Sequence, residues 1–319
     1  MRTQAKAQAL EGLREEFGGL APPVIVFNKS HSGSRLLAEV LSAGGIFMGA
    51  ERNESHDSMP LFDVVDALVR GWYPDYSPLW DPQATQDPGL ASVVRASFER
   101  HLAGHDRSKG APWGWKLCET VYALPVFDRI FPEARYVHLV RDGRDVAFCD
   151  HKGPTDPFWR KVYFDTDRIR TFRGMPLDPG WYRRRSHAFN AQHWTNSVRL
   201  GRAFGAMLRE RCLEVRYEDL CGDFDATADR VLRFVGAPAP REAIDRLRPS
   251  VGTTSIGKWR HRPRRELAEV IEIEKPLLLA LGYLESDPEP PRPSPWNLGV
   301  AKVAGRGLRN WRSRSAKRG

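Results

Sequence analysis

Residues 24–37 read VIVFNKSHSGSRLL: an apolar, β-branched run, a polar gap of small and basic residues, then leucines at helical spacing. Pro22 and Pro23 before the apolar run mark the start of a buried strand. RLLAEVLSAGG, residues 35–45, reads as a helix closed by Gly44 and Gly45. A loop that leaves a strand and enters a helix presents free backbone N–H groups at the positive end of the helix dipole, so it suits an anion. Ser32, Gly33 and Ser34 are small enough for close backbone approach, and the two serine hydroxyls can donate to phosphate oxygens. Lys29, His31 and Arg35 add positive charge around them. An ordinary βα turn with a serine cap carries the same tripeptide, so this stretch alone does not decide between the two.

Residues 136–149, YVHLVRDGRDVAFC, repeat the order of strand, turn and helix and place Arg141 at the strand end. An arginine there is able to grip a phosphate bidentately, and Arg144 and Asp145 are expected to pair locally and hold the turn. Around these two stretches, APWGWKL (111–117), ARYVHLV (134–140) and CLEVRYEDL (212–220) read as strands. VYALPVFDRIFP (121–132) reads as a helix, and DFDATADRVLRFVG (223–236) as a helix opened by an Asp cap and closed by glycine. This alternation predicts an α/β domain with a central, mainly parallel sheet flanked by helices, and ligands at the carboxyl ends of its strands. Residues 70–112 and 150–182 show little periodicity and read as insertions that carry substrate contacts.

With 319 residues and 41% hydrophobic content, the chain is long enough for a sizeable core. We expect a helical extension over 1–21, one domain over 22–285 and a proline-rich basic tail over 286–319. The net charge of +9 points to an anionic partner: nucleotide, nucleic acid, membrane surface or acidic substrate. Cys118, Cys149, Cys212 and Cys221 show no CxxC spacing, which argues against zinc and a disulfide framework and for a reducing cytoplasm. No apolar run has the length of a membrane span or signal segment. Trp296, Leu298, Val303, Leu308 and Trp311, interleaved with basic residues in the tail, suit a peripheral contact with an anionic membrane, whereas nucleic acid is not favoured.

Taken together, the two turns give the chain a resemblance, over Pro22–Gly282, to the sulfotransferases that use PAPS (3′-phosphoadenosine 5′-phosphosulfate). The likeness is to bacterial forms and to tyrosylprotein and carbohydrate sulfotransferases. NKSHSGSRLL is similar to the family's 5′-phosphosulfate loop, and HLVRDGRDVAFC to its 3′-phosphate motif. VRYEDL resembles the strand that follows, and SIGKWR, Ser255–Arg260, the late loop over the nucleotide. The resemblance implies a P-loop-like three-layer domain. It places His31, Ser32, Gly33, Ser34 and Arg35 around the 5′-phosphosulfate, Arg141 on the 3′-phosphate, and Tyr217, Lys258 and Trp259 as nucleotide contacts. Two departures stand out. His31 occupies the place of the usual basic residue before Ser-Gly, so that residue's role either falls to His31 or is shared with Lys29 and Arg35. Cys149 stands where the family has a serine eight positions after the arginine, and it is a weaker hydrogen-bonding partner.

The resemblance further implies in-line transfer of a sulfuryl group to a hydroxyl or amine, with adenosine 3′,5′-bisphosphate as the leaving anion and no metal. His31 or Lys29 would stabilise the bridging oxygen. FMGAERNESHDSMPLF (47–62) supplies the first choice of catalytic base, Glu54, with Glu51, His56 and Glu119 behind it. Lys116 and Glu119, in WGWKLCET, orient the acceptor, line the donor pocket or form a structural ion pair. The acceptor is a glycan, lipid, peptide or phenol. Two alternatives remain. A P-loop-type kinase would share the architecture, although GxxxxGK[ST] is missing. A basic membrane or nucleic-acid binding module would rest on the tail.

Overall fold

The computed structural model describes residues 12–72, 88–107, 110–149, 171–172, 175–176 and 186–285. The tail expected over 286–319 and most of the insertion expected over 150–182 lie outside them. The chain divides into a unit over residues 1–278 and one over 279–319; within the second, the described residues 279–285 end the last helix and form a turn.

Strands β1 (Val24–Asn28), β2 (Gly114–Lys116), β3 (Arg135–Val140) and β6 (Cys212–Arg216) form one sheet in the order β2-β1-β3-β6, and every pairing is parallel. Two further short strands, β4 (Thr171–Phe172) and β5 (Met175–Pro176), form a separate antiparallel pair. The helices are α1 (Ser34–Ala43), α2 (Met59–Trp72), α3 (Pro88–His101), α4 (Leu124–Ile130), α5 (Gly143–Ala147), α6 (Ser186–Leu208), α7 (Tyr217–Gly222), α8 (Phe224–Val235), α9 (Arg241–Asp245) and α10 (Arg264–Ala280). The α/β expectation holds.

A strand buried on both faces sends alternate side chains to opposite layers. In β1, Ile25 and Phe27 enter a core built with Leu61, Val64, Val65 and Leu68 of α2, Val94 and Phe98 of α3, and Phe189 and Phe204 of α6. Val24 and Val26 enter the opposite core, with Leu37 and Leu41 of α1 and Val231 and Leu232 of α8. The result is three layers. Two readings change. Residues 88–101, assigned above to an aperiodic insertion, form helix α3, because Leu90, Ala91, Val94 and Phe98 recur at helical spacing and are buried. Asp223 occupies the N-cap position of α8, but its side chain makes no cap bond. Of the helical extension expected over 1–21, residues 1–11 lie outside the described ones; residues 12–17 are helical, with Leu13 and Phe17 buried and Phe17 5.3 Å from Phe98 between ring centroids.

Trp115 of β2 is fully buried, with Phe127 4.9 Å and Phe98 5.7 Å away between centroids. Replacing it by alanine leaves a large cavity and is expected to cost ~3–5 kcal/mol. Urea unfolding of the Trp115→Ala variant measures this, and a midpoint equal to that of the unchanged protein would contradict the packing described.

Candidate active site

The parallel register aligns the ends of β1 and β3, pairing Asn28 with Leu139, so both turns identified in the sequence leave the same sheet edge. After β1 the chain turns sharply, with His31 at φ 69° and Gly33 at φ 84°. A side chain at Gly33 would run into the ring of Tyr217, which is why the position needs glycine both for its backbone and for its space. Gly33 is the N-cap of α1, whose first turn contains no acidic residue. Ser32 is buried, and its Oγ has no hydrogen-bond partner among the described residues.

Arg141, at the end of β3, is buried, and its Nη1 donates to the carbonyl of His31 at 3.1 Å, bridging the two turns. Its guanidinium lies 4.6 Å from the centre of the Tyr217 ring, while its Nε is buried without a partner among the described residues. Burial pushes the Tyr217 hydroxyl up to about 12, with help from Cys221. The expected Arg144–Asp145 pair does not form. Arg144 instead grips Asp142 with both Nε (2.9 Å) and Nη2 (2.8 Å), because Asp142 also caps α5 by accepting from the Arg144 backbone N–H. Asp145 faces the later segment, accepting from the backbone N–H of Gly257 at 2.7 Å and of Trp259 at 3.1 Å. Arg144 lies 3.9 Å over the Trp259 ring, and Arg141 Nη2 donates to the Ser255 carbonyl. Lys258 is exposed. Cys149 turns its thiol back to the Asp145 carbonyl at 3.4 Å, and its own carbonyl accepts from Asn190 of α6 at 2.9 Å.

Beside the first turn, Lys29 is buried and donates to the Ser30 hydroxyl at 2.8 Å and to the Ser30 carbonyl at 3.1 Å. Burial pushes its ammonium down to about 8, against the opposing pull of Cys118, Cys149 and Glu119. The end of β2 adds a second lysine. Lys116 Nζ donates to Asp57 Oδ1 at 2.8 Å and to the Ser55 carbonyl at 2.9 Å, tying the 53–57 loop to the sheet edge. Lys116 therefore pairs with Asp57 rather than with Glu119. Glu119 keeps some surface exposure, yet protein surrounds its carboxyl. Burial first, then repulsion from Asp57, pushes it up to about 7, with Lys116 and Lys29 pulling part of the way back. Asp57, Cys118 and Glu119 place ligand-type atoms within 4.8 Å of one another, and the Lys116 ammonium pairs with the Asp57 carboxylate of this group.

The remaining candidates are dispersed. Glu54 is exposed on the 53–57 loop and makes no hydrogen bond or ion pair among the described residues. Glu51 is exposed and held by Arg100, whose hydrogen bonds keep its carboxyl below the ordinary range. His56 has φ 64°, and burial, then Arg52, lowers its pKa, so its ring is neutral at neutral pH. Arg35 is exposed and paired with Glu39 at 3.1 Å. The structure thus brings together Lys29, Ser32, Gly33, Arg141, Tyr217 and Trp259, with Glu119 and Lys116 at the adjacent strand end. The link from Asp145 to the late segment was missed in the sequence, because nothing in RDGRD distinguishes a carboxylate that bonds nearby from one that bonds 112 residues away.

Gly33→Ala should cost ~1–3 kcal/mol, since it forces both a left-handed residue and a clash with Tyr217. Gly222→Ala, in open space, serves as the control and should stay within ~0.5 kcal/mol of the unchanged protein. Equal urea midpoints for the two variants would contradict the loop geometry.

A family model described as "Sulfotransferase family" matches residues 23–241. No curated protein matches at a significant level. Among solved structures, the chain is similar to the sulfotransferase domain of the Synechococcus PCC 7002 olefin synthase, with 18% identity over 81% of this chain and 95% of that one and a TM-score of 0.48. It is also similar to the sulfotransferase domain from the curacin biosynthetic pathway, with 15% identity over 81% and 98% and a TM-score of 0.46. Mouse sulfotransferase SULT7A1, solved in complex with PAP, is similar at 11% identity over 95% of each chain, with a TM-score of 0.46. With its family model spanning well over half of the sequence, the chain belongs to the sulfotransferase family.

Proposed function

We propose that this sulfotransferase takes its sulfuryl group from PAPS and passes it to a hydroxyl or amine, releasing adenosine 3′,5′-bisphosphate. The observation that carries the reading is the Arg141–His31 bridge, which fixes two anion-friendly turns side by side at one sheet edge. Two buried donors without partners among the described residues, Ser32 Oγ and Arg141 Nε, fit the oxygens of a ligand with phosphates at both ends. The 5′-phosphosulfate would rest on Ser32, Gly33 and Ser34 at the N-terminus of α1. The 3′-phosphate would lie on Arg141, with Lys258 and Trp259 at that end of the nucleotide and Tyr217 between the two turns. His31 contributes its carbonyl to Arg141, and Arg35, paired with Glu39, lies at the rim. Cys149 would contribute little, because its thiol already bonds to α5.

In the transfer, the acceptor oxygen or nitrogen attacks sulfur in line and the bond from sulfur to the bridging oxygen breaks. The electron pair stays on the 5′-phosphate. Lys29 would meet that charge: it is the buried cation at the loop and is still mostly protonated at neutral pH. The acceptor proton would pass to Glu119, whose carboxyl near 7 is strong enough to take it and is ionised often enough to serve. Glu54, exposed on a neighbouring loop, is the second candidate for that role. Lys116, locked onto Asp57, would fix the charge on the acceptor side. The family assignment speaks against a kinase. A cytoplasmic setting agrees with four free cysteines, and among the described residues no helix is long and apolar enough to cross a membrane. A membrane contact of the 286–319 tail belongs to the same proposal as an accessory.

Three outcomes follow for the purified protein. The kcat/KM profile should rise with pH through about 7 as Glu119 loses its proton, then fall above about 8 as Lys29 loses its own. Glu119→Gln should lower kcat by ~10²–10⁴ while leaving the bisphosphate Kd within about threefold. A fully active Glu119→Gln beside an inactive Glu54→Gln would hand the role to Glu54. Arg141→Ala should weaken the bisphosphate at least about tenfold in calorimetry, the scale of a lost charged hydrogen bond.

A further inference from the structure

Asp145 is the most deeply buried carboxylate of the 3′-phosphate turn, with a side chain 1% exposed, and its partners come from the late segment. Oδ2 accepts the Gly257 N–H and Oδ1 the Trp259 N–H, so the two bonds straddle Lys258 in the chain. Gly257 stands at φ 76°, and the space over it is filled by the Arg260 guanidinium, so the segment is shaped to present these two N–H groups together. Arg141 Nη2 lies 3.9 Å from Asp145 Oδ2 and donates to the Ser255 carbonyl, which ties the same guanidinium to both partners. Arg144, fixed on Asp142, covers the Trp259 ring. A carboxylate that accepts two backbone N–H groups at these distances binds roughly twice as strongly as a neutral acceptor.

We infer that Asp145 is a positioning residue that latches the 255–262 segment onto the Arg141 turn before any nucleotide arrives, setting Lys258 and Trp259 in place for the 3′-phosphate end of the donor. The inference rests on the proposed nucleotide site but makes a separate claim about how that site is assembled. A preformed segment spares the nucleotide the entropy of ordering it, so loss of the latch appears as lost affinity for the 3′-phosphate end alone. Asn at position 145 keeps the shape, but it places an N–H₂ group against one of the two N–H donors.

The test compares two probes on the full chain, adenosine 3′,5′-bisphosphate and adenosine 5′-monophosphate. In Asp145→Asn, the bisphosphate Kd should rise about tenfold and the monophosphate Kd should change less than about twofold, so discrimination between them collapses. Equal weakening of both probes would mark a merely structural role and overturn the inference, as would no weakening of either. Hydrogen exchange on the unchanged protein without nucleotide supplies the second measurement, which serves even where the variant fails to fold. The Gly257 and Trp259 amides should exchange at least about a hundredfold more slowly than unstructured amides. Exchange at unstructured rates would overturn the latch, whereas slow exchange in a protein that ignores the bisphosphate would preserve the latch and sink the nucleotide reading.

Discussion

The contact between the Arg141 guanidinium and the His31 carbonyl holds the two halves of the site together. It depends on the register of two parallel strands: β1 and β3 pair from Val24 with Arg135 to Asn28 with Leu139, so their following turns emerge level with each other. A one-residue slip would send alternate side chains to the wrong layer on both faces, and both faces are fully packed. The hydrophobic core therefore fixes the distance between the turns. Trp194 of α6 adds to this by donating to the Arg141 carbonyl at 3.0 Å, so the backbone of the turn is held from behind while its side chain reaches forward.

The second organising feature is the alternation of charge along the sheet edge. Glu119 lies within electrostatic reach of Lys29, Lys116 and Asp57, in surroundings where water screens little. Asp57 and Lys116 form a direct pair, and burial and anionic neighbours act on Lys116 in opposite senses, with a net upward shift. Lys29 and Glu119 are left with proton affinities that approach each other from opposite sides, at about 8 and about 7. Groups in that condition exchange protons readily near neutral pH, which acid–base work requires. An anionic ligand entering beside Lys29 would raise its proton affinity and keep it charged.

Much of this was legible in the sequence. VIVFNKSHSGSRLL and YVHLVRDGRDVAFC gave both turns because the change from a run of apolar residues to small and basic ones, and back to helical spacing, is a local signal. Gly33 and Arg141 were identifiable for the same reason. Partner choice was not legible. Arg144 takes Asp142, two residues away, instead of its neighbour Asp145, and the preference of Lys116 for Asp57 and of Asp145 for two amides near residue 258 depends on which loops meet at the sheet edge. The burial that distinguishes Glu119 from the exposed Glu54 is likewise something spacing does not report. Helix α3 was obscured by its neighbourhood of proline, tryptophan and aspartate, although its own apolar residues keep the helical period.

The central claim, that two strand-exit turns close around opposite ends of one doubly phosphorylated adenosine, is tested most directly by calorimetric titration of the purified chain with and without Mg²⁺. The account predicts saturable binding of adenosine 3′,5′-bisphosphate and much weaker binding of ATP, whether or not Mg²⁺ is added. Absence of bisphosphate binding, or a preference for Mg²⁺-ATP, would contradict it.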